Sequence, residues 1–119
     1  MSDRMRRVDE ALRKVLSEHI GELKDPRVGF VTVTGVKTTS DLKEATVYVS
    51  VFGSDKKREA SLNALRSAHG FLQAQIGREV RMKRTPQLTF EYDHSVEHGV
   101  RMTKLIDDLA RNDPAPDDH

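Results

Sequence analysis

The side chains in this sequence best suited to chemistry are its arginines and lysines, and they come in groups. Arg78, Arg81, Lys83 and Arg84 form the densest one. Arg4, Arg6, Arg7, Arg13 and Lys14 lie near the amino terminus, Lys56, Lys57 and Arg58 form a triplet, and Arg66 stands just before His69-Gly70. A guanidinium fork matches the oxygens of a phosphate, and its plane stacks on unpaired bases. The chemistry this favours is the holding of a polyanion. A second pattern, His94-Ser95-Val96-Glu97-His98, has the order in which two imidazoles bind zinc and a glutamate acts as base. Ser95, however, suits a helix cap, which leaves His94 outside the helix and spoils the i, i+4 geometry. The pattern reads as a chance helix start, with no metal. There is no phosphate loop, no cysteine nucleophile and no serine elbow. A non-enzyme is expected, with no catalytic residue and no cofactor.

The elements that would position these groups follow from periodicity. Val8, Leu12, Val15, Leu16, Ile20 and Leu23 share one face of a helix, opposite Arg6, Arg7, Glu10, Arg13, Lys14, Glu18 and Glu22. Asp25-Pro26 ends it. Residues 30–34 read as a strand, and so do residues 44–52, where Ala45, Val47, Val49 and Val51 alternate with Thr46, Tyr48, Ser50 and Phe52. Gly35 to Lys43 reads as the polar loop of an antiparallel hairpin. Ser54 or Asp55 caps the next helix. Leu62, Leu65, Leu72 and Ile76 hold helical phase across Gly70, so the segment is one weakened helix or two helices meeting at a kink. Gly77 reads as its stop. Val80, Met82, Leu88, Phe90 and Tyr92 recover alternation around Pro86. A last helix carries Met102, Leu105, Ile106 and Leu109. The expected order is α-β-β-α-(kink)-α-β-α, an α+β fold with a three-stranded sheet packed on helices.

With 119 residues, the chain has the size of one domain. It has no cysteine, which excludes disulfides and thiolate metal sites. No apolar run approaches the roughly 18 residues of a membrane span, and the amino-terminal residues do not resemble a signal peptide. A cytoplasmic location is expected. The net charge of +1 is unevenly spread. Asp107, Asp108, Asp113, Asp117 and Asp118 face one base, Arg111, at the carboxyl end; residues 1–106 keep 19 bases and 14 acids, a net of +5. The division expected is a basic domain over residues 4–110 and a disordered acidic tail over 111–119.

The order of elements is that of K-homology (KH) domains of the second type, which grip single-stranded nucleic acid through a glycine-containing turn between two helices. Here that turn is Ser67-Ala68-His69-Gly70-Phe71, without the usual glycine pair. Its Ala-x-Gly form resembles the interhelical kink of the ribosome-binding factor A family. So do Asp25-Pro26-Arg27-Val28-Gly29, Asp41-Leu42 with residues 45–50, Ala68-His69-Gly70-Phe71-Leu72, residues 86–90, Tyr92-Asp93-His94-Ser95 and Gly99, all in the family's order over about residues 4 to 106. Gln73-Ala74, where arginine is common, and Gln87, where glutamate is common, depart from it. The resemblance implies a KH-like domain that binds the free 30S small ribosomal subunit and assists late maturation of 16S rRNA without catalysis. A monomer with no membrane contact and no small-molecule substrate is expected.

The residues expected to bind RNA are Arg6, Arg7, Lys14, Arg66, His69, Gly70, Arg78, Arg81, Lys83 and Arg84, with Ala68, His69 and Gly70 forming the kink. Aromatics are only 5% of the chain, so recognition should rest on backbone and shape rather than base stacking. The competing reading is a protein-interaction adaptor whose basic surface is incidental.

Overall fold

The apolar stripe of the first segment folds as α1, Asp3–Gly21, in the computed structural model, which describes residues 3–95. Leu12, Leu16 and Ile20 are buried, and Val8, Val15 and Leu23 pack beside them. Each fully buried leucine or isoleucine is worth about 1.5–3 kcal/mol before entropy is subtracted. The helix stops at Gly21, earlier than Asp25-Pro26 suggests. Glu22 and Leu23 N–H groups donate to the His19 and Ile20 carbonyls at 3.1 and 3.2 Å, tightening the last turn so that the chain leaves the helix. Asp25 then organises its own turn. Its Oδ1 accepts the Arg27 backbone N–H at 2.9 Å, while Oδ2 accepts the Arg27 guanidinium at 2.7 Å.

Strand β1 spans Val31–Thr38 and β2 spans Glu44–Val51, paired antiparallel. The expected loop from Gly35 to Lys43 is thus a correction. Thr34 is an extra residue in a bulge between Val33 and Gly35, and the strand resumes beyond it. Its hydroxyl donates to Asp93 Oδ2 at 2.6 Å, giving the bulged residue a partner outside the ladder. The tight turn that remains is held by Asp41, whose Oδ1 accepts the Thr39 hydroxyl and the Lys43 N–H at 2.6 and 3.0 Å. Across β2, Ala45, Val47, Val49 and Val51 are buried, as the alternation requires.

Ser54 caps α2, Asp55–Ser67, by accepting the Lys57 N–H. Helix α3, His69–Glu79, follows after a single intervening residue, Ala68. Two helices rather than one weakened helix is therefore the outcome. The break falls at Ala68, with Gly70 inside the first turn of α3. Gly77 is not a stop: α3 runs on to Glu79. Val80 and Met82 belong to the connector rather than to a strand, and β3 spans Gln87–Tyr92. It pairs parallel to β2, giving the sheet order β1-β2-β3. A parallel neighbour needs a long crossover, and α2 with α3 supplies it.

The core lies between the helices and one sheet face. Leu12 and Leu16 of α1, Leu62 and Leu65 of α2, and Leu72 and Ile76 of α3 meet Val47, Val49, Leu88 and Phe90. α1 packs on β1 and α3, and α2 on β3. Asp9 is an exception on the buried face of α1; its Oδ1 accepts the Thr38 N–H at 3.0 Å. The cap expected at Ser95 is a correction: the chain is already helical at His94 and Ser95. Asp93 Oδ1 accepts the Ser95 N–H at 2.9 Å, so Asp93 takes the cap role and His94 is not left outside the helix. The rest of the final helix, the His94–His98 pattern as a whole, the domain limit at residue 110 and the acidic tail lie outside the described residues.

Candidate nucleic-acid interface

The basic groups converge through the packing of α1 against α3. Arg4, Arg7, Ala11 and Lys14 are spaced i, i+3, i+7 and i+10, one stripe of α1. Beside this stripe lies the connector that leaves α3. A hollow of about 390 Å³ between them is lined by Arg7, Val8, Ala11, Lys14, Val15, Glu79, Val80 and Arg81. A second hollow of about 560 Å³ is lined by Arg4, Gly77, Arg78, Val80, Arg81, Met82 and Lys83. The two share Val80 and Arg81, so they form one continuous surface. Among the described residues, six cations border it against a single carboxylate, Glu79, whose Oε2 is already held by His19. The floor of Val8, Val15 and Val80 is apolar, so the cations stand over a low-dielectric surface that strengthens their field.

The fold divides the expected RNA-binding residues into groups. Arg7, Lys14, Arg78, Arg81 and Lys83 are brought together. Arg6, exposed on α1, forms an ion pair with Asp3 at 3.6 Å and lines neither hollow. Arg84 is exposed and also lines neither. Arg66 belongs to α2, where its guanidinium donates to the Phe90 carbonyl at 3.0 Å. That bond ties the helix to β3 and uses part of the fork. His69 accepts from the Gln87 amide at 3.0 Å, and Gly70 beside it is exposed.

The two departures from the family pattern have structural work. The Gln73 amide reaches β3 with both ends: Nε2 donates to the Pro86 carbonyl at 2.5 Å and Oε1 accepts the Leu88 N–H at 3.2 Å. Gln87 holds His69. Together they fix the kink against the start of β3.

Sequence reasoning did not single out Phe30 and Phe52. Both lie just outside the ends of the strands to which alternation assigns them, and both are exposed. Counting the hairpin register outward from the Val31–Val51 pair would have set them opposite each other. Among the described residues, no group of three or more His, Asp or Glu side chains is placed to hold a metal ion. No helix among them is long and apolar enough to cross a membrane.

Comparison with known proteins agrees with this architecture. The family model for ribosome-binding factor A matches residues 4–106. The crystal structure of ribosome-binding factor A from Thermus thermophilus is 35% identical, with a TM-score of 0.67 over 74% of this chain and 94% of that one. A solution structure of a ribosome-binding-factor-A-type protein of Thermotoga maritima is 30% identical, with a TM-score of 0.69 over 76% of this chain and 88% of that one. A Thermus thermophilus homology model, fitted into the cryo-EM map of a 30S–RbfA complex, is 37% identical, with a TM-score of 0.60 over 71% and 89% of the two chains. A KH-like α+β fold with a break between α2 and α3 coincides with a family match across most of the sequence, and the chain belongs to the ribosome-binding factor A family.

Proposed function

We propose that this protein binds the free 30S ribosomal subunit and assists late maturation of 16S rRNA by holding RNA, without catalysis. The observation that carries this is the continuous surface bordered by Arg4, Arg7, Lys14, Arg78, Arg81 and Lys83, drawn from α1 and from the end of α3 with its connector. Clustered cations displace condensed counterions from a phosphate backbone, which supplies affinity without base readout. The Thermus thermophilus relative fitted into a 30S–RbfA map supports the choice of partner. Arg66, His69 and Gly70 form a second, smaller group at the α2–α3 break and extend the contact. Residues 4–110 act as the binding domain in the cytoplasm, and residues 111–119 form an acidic tail.

Sedimentation through a sucrose gradient tests the proposal. The protein should travel with free small subunits and be absent from complete ribosomes. Failure to travel with small subunits at low salt would overturn it. Association that survives charge reversal across the basic surface would favour the adaptor reading instead.

A further inference from the structure

Phe30 and Phe52 are 81% and 79% exposed, an unusual state for two phenylalanines that are also neighbours. The Phe52 N–H donates to the Phe30 carbonyl at 3.1 Å, continuing the β1–β2 register by one pair. Opposed cross-strand residues project to the same side of a ladder. Both rings border one hollow of about 390 Å³, whose other walls include Arg27, Lys57 and Ser61.

We propose that this hollow is a stacking site for an unpaired base of RNA. The claim rests on the RNA-binding reading above and adds to it a second contact of different chemistry. Three features support it. The rings present π-faces, which stack on any base. Among the described residues, the charged side chains lining the hollow are Arg27 and Lys57, with no carboxylate, so the phosphates flanking a stacked base meet positive charge. Among the described residues Lys57 has no ion-pair partner, whereas Arg27 is held by Asp25. Finally, the walls are fixed in advance. Buried Ser61 of α2 accepts the Gly29 N–H at 3.1 Å and donates to the Arg27 carbonyl at 3.2 Å, pinning the turn that carries Phe30. A protein partner would be better served by apolar surface continuing outward, but here cations bound the ring pair. The site shares no residue with the α1–α3 surface.

The test compares the full chain with Phe30→Ala/Phe52→Ala and with Phe52→Trp. Anisotropy of a labelled oligoribonucleotide of about ten nucleotides is read on the single strand and on the same strand in a duplex. The double alanine variant should lose about tenfold or more in single-strand affinity, with duplex affinity and salt dependence unchanged. Phe52→Trp should retain single-strand affinity, and the circular dichroism of all variants should match the parent. Unchanged single-strand affinity in the double variant would overturn the proposal, as would an equal loss on duplex. Self-association of the parent that the double variant abolishes, with RNA affinity unaltered, would assign the rings to a second copy instead. A parent chain that does not travel with small subunits counts against the reading on which this rests. A parent that does so while the double alanine variant binds single strands equally well counts against the stacking site alone.

Discussion

His19, near the end of α1, and Glu79, the last residue of α3, meet through imidazole Nε2 and carboxylate Oε2 at 2.5 Å. The other ring nitrogen, Nδ1, faces Glu22 Oε1 at 3.0 Å. With a carboxylate at each nitrogen, both must donate, and only the imidazolium has two N–H groups. Phe71 of α3 stands edge-on to the ring, with centroids 5.9 Å apart. The contact clamps together the two helices whose junction bears the basic surface, and it occupies the one carboxylate that borders it among the described residues.

Stability should therefore depend on pH near neutrality. The hydrogen bond to Glu79, assisted by that to Glu22, raises the His19 pKa above its ordinary value, against partial desolvation of the ring. A raised folded-state pKa gives stabilisation that is complete below the unfolded value of about 6.5 and is lost as pH rises through the folded value. Asp25, held at about 2 chiefly by its hydrogen bond from Arg27, is ionised throughout that window and contributes no slope there. The melting temperature should fall as pH rises above about 6.5 in the parent, and much less in His19→Gln. Parallel curves for the two proteins would show that the clamp adds nothing to stability.

Charge reversal on the basic surface should change the salt dependence of binding as well as its strength. Arg81→Glu with Lys83→Glu removes cations that border the hollows. Each phosphate that is no longer neutralised lowers the slope of log affinity against log salt by about 0.7–0.9. Association with small subunits, measured at four or more salt concentrations, should weaken most at low salt. Lys43→Glu, in the turn between β1 and β2, serves as the control and should leave the slope in place.

Asp9 shows how much of a fold periodicity can miss. Replacing it with alanine leaves the Thr38 N–H at the end of β1 without its acceptor. An unsatisfied buried donor costs about 1–3 kcal/mol, read as a lower urea midpoint at constant slope. Asp9→Asn retains a side-chain carbonyl and should recover much of that loss.

Much of the fold could be read from side-chain spacing because it rests on apolar repetition. Leu12, Leu16 and Ile20 mark α1, and Ala45 through Val51 mark β2 with its buried face. What spacing could not convey comes from polar contacts between distant segments. The bulge at Thr34 depends on Asp93, and the end of β1 depends on Asp9. The basic surface was visible as clusters, yet nothing local says that Arg7 and Lys14 share a surface with Arg81 while Arg66 turns to the Phe90 carbonyl. That division is set by how α1 and α2 pack on opposite sides of the sheet order, α1 on β1 and α2 on β3. Phe30 and Phe52 were hidden for another reason. Low aromatic content argues against stacking on average, and it cannot say that two of the few rings share one hollow.

The two glycines of α3 separate internal from external constraint. A Cβ at Gly77 would lie 3.1 Å from Thr85 Oγ1, so the connector's close approach explains that residue from within the fold. A Cβ at Gly70 would meet nothing within 4 Å, and its φ is not left-handed. Glycine in a helix is nonetheless unfavourable by roughly 0.5–1 kcal/mol relative to alanine. Gly70→Ala should therefore raise stability, by up to about 1 kcal/mol, in a urea titration. If the bare backbone is there to let a phosphate approach the first turn of α3, the same variant should bind small subunits more weakly while folding more tightly. A stabilised variant with unchanged binding would reduce Gly70 to scaffold and remove the α3 first turn from the RNA contact.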